Sequence, residues 1–382
     1  MAFGVTIGVF GIILLLFDSY IAFWVLATAG WWWKFLVFIP SIIYLAVNWY
    51  RFSLGKVNQW TMNFAIRSTL LVFFSTIIFT FFSALGWCLG WINPNLWTIF
   101  NWIALGISGI WLLTVLYGII IGWKKVTVEK LKLNFPDLPS KFNGYKIVHL
   151  SDFHIGTYSS SPETVSEIVE KVNSLNPDLI VFTGDLVNSS SEEIIPFLND
   201  LKKLKASDGV ISVLGNHDYC LYRSYTPPDS PQKELEKVIQ LEKSAGWDLL
   251  LNTSTQIERE GEKIAVIGVE NAGGKSFTDR ADLKKALKGI PETEFKILLS
   301  HDPSHWRREI LPNTTIDLTL SGHTHAMQFK IGKFSPAKWA YKEWGGVYSE
   351  GERKLVVNTG TGGNVAFRLG VYPQSLEIVL TQ

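Results

Sequence analysis

Histidine and acidic side chains follow apolar, strand-like runs at five places in this chain. Five of the seven histidines lie in four of these motifs, and the remaining motif adds a carboxylate alone. The motifs are Asp152-Phe153-His154, Gly184-Asp185, Gly215-Asn216-His217-Asp218, Ser300-His301-Asp302 and Gly322-His323-Thr324-His325. Strand ends in open α/β sheets are where ligand-binding loops gather. Carboxylate oxygens, imidazole nitrogens and one amide on such loops predict a site for two divalent metal ions, rather than scattered structural histidines.

Strands alternating with helices are expected to carry these motifs. Apolar or alternating runs predict strands at 126–133, 145–148, 179–183, 210–214, 263–269, 295–300, 316–321, 354–358 and 376–380. Helical spacing predicts helices after Ser161 and near 192–203, 233–244 and 282–288. This alternation indicates an α/β layered fold. The late strands, which lack long helices between them, indicate a mixed sheet or two packed sheets.

Composition divides the chain into two pieces of different character. Residues 1–122 carry five formal charges and 11 of the 16 tryptophans, whereas residues 123–382 hold 31 basic and 33 acidic side chains. A membrane-spanning helix needs about 20 apolar residues. Four stretches reach or approach that length, near 3–27, 34–50, 68–90 and 99–122. We therefore expect a transmembrane domain at 1–122, a linker with the first strand at 123–145, and a water-soluble domain at 146–382.

Basic residues favour one orientation in the membrane. With four spans, the side that holds the soluble domain also holds Arg51, Lys56, Arg67 and four lysines between 124 and 132, whereas the opposite side holds Lys34. Cytoplasmic loops carry the excess of Lys and Arg, so the soluble domain is expected in the cytoplasm. The near-neutral charge of that domain argues against nucleic acid as a partner, because a nucleic-acid footprint needs a basic face.

The motifs D-x-H, G-D, G-N-H-D, a lone H and G-H-x-H, in this order, resemble the calcineurin-like metallophosphoesterase family over about residues 142–382. The resemblance implies a layered sandwich of two mixed β-sheets flanked by helices, here preceded by a four-helix transmembrane domain. It also implies two divalent ions, with manganese, iron, zinc or magnesium all compatible with these ligands. Asp152, His154 and His325 would bind one ion, Asn216, His301 and His323 would bind the other, and Asp185 would bridge the two.

The resemblance further implies hydrolysis of a phosphate ester or pyrophosphate. Two adjacent cations clamp the phosphate and activate a bridging water as the nucleophile. His217 would act as a general acid and stabilise the transition state, and Asp218 would orient its imidazole and raise its pKa. The alternative for His217 is a metal ligand or a structural residue.

Two aromatic segments are expected to select the substrate. These are residues 219–231, directly after the catalytic motif, and 327–348, where six aromatic residues are interspersed with four lysines. Such segments suit a bilayer surface or an amphiphilic phosphate, although rings packed on the core would give the same pattern. Tyr219, Trp344 and Arg368 are the candidate substrate contacts. The chain departs from many family members at Ala326-Met327-Gln328, where they have glycines.

Three functions are compatible with the sequence. The first is a membrane-tethered phosphohydrolase for lipid-linked or nucleotide-linked phosphates, since the chain resembles a bacterial branch, expected at the inner membrane, that is similar to UDP-2,3-diacylglucosamine hydrolases. The second is a hydrolase for soluble phosphoesters, such as cyclic nucleotides or phosphoproteins, with the spans only as an anchor. The third is a non-catalytic membrane scaffold, which is the weakest because every expected ligand type is present.

Overall fold

The computed structural model describes residues 2–53, 59–226, 230–275 and 277–382. They form two compact units, Met1–Ile121 and Gly122–Gln382. The boundary lies next to the change in composition at residue 122. Lys56, which contributes to the predicted orientation, and residues 227–229 of the predicted substrate segment lie outside the described residues.

The first unit is helical, as its apolar composition predicts. Its α-helices are α1 (Ala2–Tyr20), α2 (Trp31–Ser53), α3 (Gln59–Ser68), α4 (Phe74–Gly90) and α5 (Asn95–Ile120). A π-helical turn extends α1, and another joins α3 to α4. Four segments are long and apolar enough to cross a membrane, namely Gly8–Val25, Trp31–Arg51, Gln59–Gly90 and Asn95–Lys124. The prediction of four such segments is confirmed, although the third begins earlier than residue 68.

Large apolar side chains point outward from the first unit. Trp49, Trp91 and Trp102 are all exposed, an arrangement that is unfavourable in water and expected for helices that face lipid. Many of the buried side chains are small or polar. Asp18 is buried, and a Cβ on Gly86 would collide with the side chain of Phe100. The outward apolar surface is what a membrane-embedded unit requires.

In the part of the chain that the structure describes, the second unit has twelve strands in two six-stranded sheets. The strands are β1 (Thr127–Asn134), β2 (Lys146–Leu150), β3 (Leu179–Phe182), β4 (Val210–Ser212), β5 (Asp248–Leu249), β6 (Thr253–Arg259), β7 (Glu262–Gly268), β8 (Phe295–Leu299), β9 (Leu318–Ser321), β10 (Gly346–Glu350), β11 (Arg353–Val357) and β12 (Gln374–Thr381). The sheet orders are β1-β12-β2-β3-β4-β5 and β10-β11-β9-β8-β7-β6. In the first sheet every neighbouring pair is parallel except β12–β2. In the second sheet the antiparallel pairs β10–β11 and β6–β7 lie at the edges, and the three pairs between them are parallel.

The sheets pack face to face and helices cover their outer faces. In β3, Leu179 and Val181 enter the core between the sheets, whereas Ile180 and Phe182 enter the core beneath the helices. This alternation follows from the period of two in a strand. The helices of this unit are α6 (Glu163–Ser174), α7 (Leu198–Leu201), α8 (Pro231–Ser244), α9 (Leu283–Ala286) and α10 (Leu311–Asn313). The implied sandwich of two mixed sheets flanked by helices is confirmed.

Two details differ from the sequence prediction. The helix expected near 192–203 is broken into two 3-10 turns and the short α7, because Pro196 removes a backbone donor within it. Strands β5, β6 and β10 were not predicted. All three lie at sheet edges with mostly exposed or partly exposed side chains, so they give no buried pattern to recognise.

Candidate dimetal centre

Five loops bring the candidate ligands to one place in the second unit. They follow β2, β3 and β4 in the first sheet and β8 and β9 in the second. Within each sheet these strands are parallel neighbours, so their carboxyl ends share an edge. The loop after β11 reaches the same edge, where the amides of Thr361 and Gly362 donate to the carbonyls of Ser151 and Asp152.

The first group of donors consists of Asp152, His154, Asp185 and His325, which are all buried. Their ligand atoms lie within 4.8 Å of one another. His154 Nε2 lies 3.1 Å from His325 Nε2 and 3.6 Å from Asp185 Oδ2. His325 Nε2 lies 3.3 Å from Asp152 Oδ1. Imidazole nitrogens and carboxylate oxygens gathered at these distances are the donors that a divalent ion takes.

The second group consists of Asp185, His301 and His323. Asp185 Oδ2 lies 3.2 Å from His301 Nε2, which in turn lies 3.1 Å from His323 Nδ1. His301 Nδ1 is 2.7 Å from the carbonyl oxygen of Thr183. That carbonyl accepts the Nδ1 proton and leaves Nε2 with a lone pair. The same oxygen of Asp185 therefore belongs to both groups.

Asn216 adds an unsatisfied oxygen to this cluster. Its Nδ2 donates to the hydroxyl of Tyr222 at 2.8 Å. Its buried Oδ1 has no hydrogen-bond partner among the described residues, and an unmet buried acceptor costs about 1–3 kcal/mol. A cation would satisfy this oxygen. The donor set thus fits a pair of divalent ions.

Burial keeps three of the four candidate imidazole ligands neutral. In the fourth, the carboxylates of Asp185 and Asp152 outweigh burial and raise the pKa of His301 to about 10. Burial, together with the neighbouring His217, lowers the pKa of His154 to about 3. Burial and the neighbouring His301 lower the pKa of His323 to about 4. Burial also lowers the pKa of His325 well below its usual value. A metal ligand must offer a lone pair, so these three rings can bind a cation at neutral pH.

Backbone strain is concentrated at the same residues. Five of the seven candidate ligands have a left-handed backbone, with φ of +52° at Asp152, +45° at His154, +60° at Asp185, +73° at His323 and +49° at His325. This conformation costs roughly 1–2 kcal/mol for each non-glycine residue. Strain of this kind persists at functional sites because the surrounding structure enforces it.

Two motif positions must be glycine because a neighbouring carboxylate leaves no room for a side chain. A Cβ on Gly215 would collide with the carboxylate of Asp185. A Cβ on Gly322 would collide with the carboxylate of Asp152 and the hydroxyl of Ser151. The glycines of G-N-H-D and G-H-x-H therefore allow the backbone to approach the candidate ligands.

Comparison with known protein families agrees with this geometry. Residues 145–327 match the family described as calcineurin-like phosphoesterase, and this range contains all seven candidate ligands. The chain contains a calcineurin-like metallophosphoesterase domain. The resemblance inferred from the order of the motifs is thereby confirmed.

Relatives with metallophosphoesterase domains occur in animals and bacteria. The chain is 30% identical over 218 residues to a transmembrane protein with metallophosphoesterase domain from Danio rerio, covering 56% of this chain and 47% of that protein. It is 28% identical over 236 residues to the metallophosphoesterase YkuE of Bacillus subtilis, covering 59% and 74%. It is 25% identical over 284 residues to the UDP-2,3-diacylglucosamine pyrophosphatase LpxG of Chlamydia trachomatis, covering 62% and 83%. The chain spans about half the length of the curated vertebrate relatives it matches.

In the metallophosphoesterase domain, His217 lies beside the two donor groups. Its ring makes an edge contact with that of His154, with centroids 4.7 Å apart. Its Nδ1 lies 2.6 Å from the carbonyl oxygen of Asn188, which accepts the Nδ1 proton. Its backbone amide donates to Asp185 Oδ1 at 2.8 Å. The ring is therefore fixed by a backbone carbonyl, and Nε2 has no hydrogen-bond partner among the described residues.

The expectation that Asp218 orients the His217 ring is wrong. Asp218 is fully buried, and its two oxygens accept hydrogen bonds from four backbone amides. These amides belong to Gly215, Asp185, Leu186 and Val187, at 2.8–3.2 Å. Asp218 therefore ties the loop after β4 to the loop after β3, and it holds the backbone of Asp185 in its left-handed conformation.

Two of the three candidate substrate contacts are buried in the interior of the metallophosphoesterase domain. Tyr219 is buried and donates to Glu270 at 3.2 Å, so the expectation of a substrate contact there is wrong. Arg368 is also buried. Its Nη2 donates to the carbonyls of Thr359 and Gly362 and lies 3.5 Å from His325 Nδ1, so it supports the site from behind rather than facing a ligand. Trp344 is half-buried, and its role stays a prediction.

Sequence reasoning missed two tyrosines that touch the candidate ligands. Tyr222 accepts the hydrogen bond from Asn216, and its ring lies 4.4 Å from that of His217. The hydroxyl of Tyr341 lies 2.8 Å from His323 Nε2. Both belong to the two aromatic segments already singled out, but tyrosines in a loop carry no periodic pattern that shows which ring points toward the site.

Proposed function

We propose that this chain is a membrane-anchored, metal-dependent phosphohydrolase whose catalytic domain faces the cytoplasm. The observation that carries the proposal is the sharing of Asp185 Oδ2 between two donor groups, 3.6 Å from His154 Nε2 and 3.2 Å from His301 Nε2. One carboxylate oxygen between two sets of imidazoles is the arrangement that two adjacent cations require. Asp152, His154 and His325 would hold the first ion and Asn216, His301 and His323 the second, with Asp185 shared.

The residues of the chain supply the remaining parts of a hydrolytic site. Two divalent ions held by these residues would bind a phosphate ester and would lower the pKa of a bound water. His217 is fixed through Nδ1 by the Asn188 carbonyl, and as an imidazolium it would deliver its Nε2 proton to the leaving oxygen. Asp218 keeps Asp185 in place through the backbone. The metal ligands would thus bind the ions, His217 would transfer a proton, and Asp218 would position Asp185.

The surface beside the site supports an amphiphilic substrate. Tyr341, which contacts His323, belongs to the segment 327–348, where Trp339 is 75% exposed and Ile331 is 61% exposed. Lysines flank both residues. Exposed apolar side chains among lysines suit an acyl chain and an anionic head group. The similarity to LpxG, whose name describes a pyrophosphatase for an acylated sugar nucleotide, supports the same class.

Loss of one shared ligand tests the dimetal proposal. The full chain in detergent, reconstituted with manganese, is expected to bind two ions and to hydrolyse bis-nitrophenyl phosphate. Asp185→Asn should lower the bound metal of both sites, measured by elemental analysis, since one oxygen serves both. A variant that keeps two ions and full activity would refute the shared role, and a wild-type chain that binds ions but hydrolyses no ester would favour the scaffold.

Paired substrates test the amphiphilic class. We expect Ile331→Ala with Trp339→Ala to reduce kcat/KM for an acyl-bearing pyrophosphate about tenfold, because two exposed side chains would lose part of their contact with the acyl chain. Hydrolysis of nitrophenyl phosphate should stay unchanged. Ile195→Ala is the matched control, because Ile195 is also 61% exposed but lies outside the segment. Equal effects on both substrates would favour the soluble phosphoester alternative.

A further inference from the structure

Two tyrosine hydroxyls lie against ligands of the same candidate metal. Tyr222 contacts Asn216 and Tyr341 contacts His323, each at 2.8 Å. Asn216 and His323 both belong to the second candidate metal site, and they reach it from different sheets. The two tyrosines lie on separate loops, one after β4 and one between β9 and β10.

The hydrogen bond at Tyr222 has one possible direction. The Asn216 amide nitrogen can only donate, so the phenol oxygen is the acceptor at 2.8 Å. The amide oxygen is then turned into the cluster, where it has no partner among the described residues. A phenol both donates and accepts. The proton of Tyr222 is consequently available, and half of the side chain is exposed to solvent.

The hydrogen bond at Tyr341 has the same direction once His323 is assigned to the metal. His323 Nδ1 faces His301 Nε2 at 3.1 Å inside the second donor group, so Nδ1 must carry the lone pair. The neutral ring then carries its proton on Nε2. That proton is donated to the Tyr341 oxygen at 2.8 Å. Tyr341 therefore also keeps its own proton for another acceptor.

We propose that Tyr222 and Tyr341 are substrate-binding residues, whose hydroxyl protons bind two non-bridging oxygens of the phosphoryl group at the second metal. This inference rests on the proposed dimetal function and adds the residues that hold the phosphate on its protein side. A phosphoryl oxygen is an anionic acceptor, and hydrogen bonds to anions are shorter and stronger than neutral ones. The ring of Tyr222 also lies against that of His217, which places its hydroxyl and the candidate general acid on one side of the site.

The alternative role for both tyrosines is to orient the metal ligands and nothing more. Residues that only orient ligands change metal affinity when they are replaced. Residues that bind the phosphoryl group change phosphate affinity while the metal stays bound. The two roles therefore differ in a measurable way that does not depend on turnover.

Inorganic phosphate is the probe for this distinction. Tyr222→Phe, Tyr341→Phe and the double variant are compared with wild type in the full chain. Tyr225→Phe and Tyr348→Phe are matched controls, because the first hydroxyl donates to the Cys220 carbonyl and the second accepts from the Trp344 amide. Bound manganese is measured by elemental analysis, and the Kd of phosphate is measured by calorimetry on the metal-loaded protein.

We expect each single variant to keep its metal and to bind phosphate roughly tenfold or more weakly, as for a lost hydrogen bond to a charged group. The controls should match wild type. Phosphate affinity equal to that of the controls would overturn the inference, and so would a loss of metal large enough to account for the weaker binding. If metal-loaded wild type binds phosphate but hydrolyses no ester, the proposed function fails. The tyrosine contacts are still tested in that case, because the Kd of phosphate is measured without turnover.

Discussion

Replacing His217 by alanine separates proton transfer from metal binding. The His217 ring lies outside both donor groups, and the contact that it makes with Asp185 comes from its backbone amide at 2.8 Å. That contact survives in alanine. The variant should therefore keep both ions, while the Nε2 nitrogen that would carry the transferred proton is lost.

The size of the effect follows from the leaving group. A positioned general acid contributes about 10²- to 10⁴-fold, equivalent to roughly 3–5 kcal/mol at 1.36 kcal/mol per decade. An alkoxide leaving group needs that proton, so its kcat/KM should fall by this factor in His217→Ala. Nitrophenolate leaves without protonation, and its hydrolysis should fall less than about tenfold.

The assay is a series of aryl and alkyl phosphate esters hydrolysed by wild type and variant at equal manganese occupancy. The logarithm of kcat/KM is plotted against the pKa of the leaving group. A steeper slope in the variant is the expected result. Parallel lines, with equal losses for every ester, would refute proton donation by His217, and loss of an ion would show that the ring is a ligand.

Three further predictions concern Asp218, the strained pair Ala326 and Met327, and the orientation of the domain. Asp218→Asn should lower the free energy of unfolding of the phosphoesterase unit by about 2 kcal/mol in denaturant titration, because four amide donors lose a charged acceptor; an unchanged midpoint would contradict its structural role. Met327→Gly should raise that free energy by about 0.5–1 kcal/mol, since φ is +47° at an exposed side chain and relief of strain exceeds the cost of glycine flexibility. Ala326→Gly should gain less, because it also removes a buried methyl group. A green fluorescent protein fused after Gln382 should fluoresce in bacteria if the orientation is correct, and a dark fusion would reverse it.

The strand pattern was sufficient to predict a layered α/β fold and the gathering of the ligands, and the family resemblance supplied the sandwich of two sheets. A buried strand such as β3 appears in the sequence as an unbroken apolar run. A polar motif directly after such a run indicates a loop at the end of the strand. Parallel neighbours then bring those loops together. The edge strand β6 leaves no such run, because its exposed side chains are free to be polar.

Side-chain direction within the loops could not be predicted in the same way. Asp218 follows His217 directly, and adjacency suggested a contact between them. In the structure the two side chains diverge: His217 reaches the Asn188 carbonyl, whereas Asp218 turns back to the amides of the preceding loop. Tyr219 and Tyr222 lie three residues apart in one loop, yet the first enters the core and the second reaches Asn216. Such choices depend on φ and ψ at single residues, which local composition leaves undetermined.

The variable middle residues of D-x-H and H-x-H explain why the ligands in these motifs lie two residues apart. Between Asp152 and His154, the side chain of Phe153 is fully buried in the core beneath the helices. Between His323 and His325, the Thr324 hydroxyl donates to the Trp344 carbonyl at 2.6 Å. In both motifs the middle residue is anchored to the protein, and the ligands on either side adopt positive φ. An anchored residue between two strained ones turns both ligand side chains away from the core and toward the shared site. The spacing therefore encodes backbone geometry as much as metal chemistry, and a sequence with the same ligands but no anchor between them would not hold the strain.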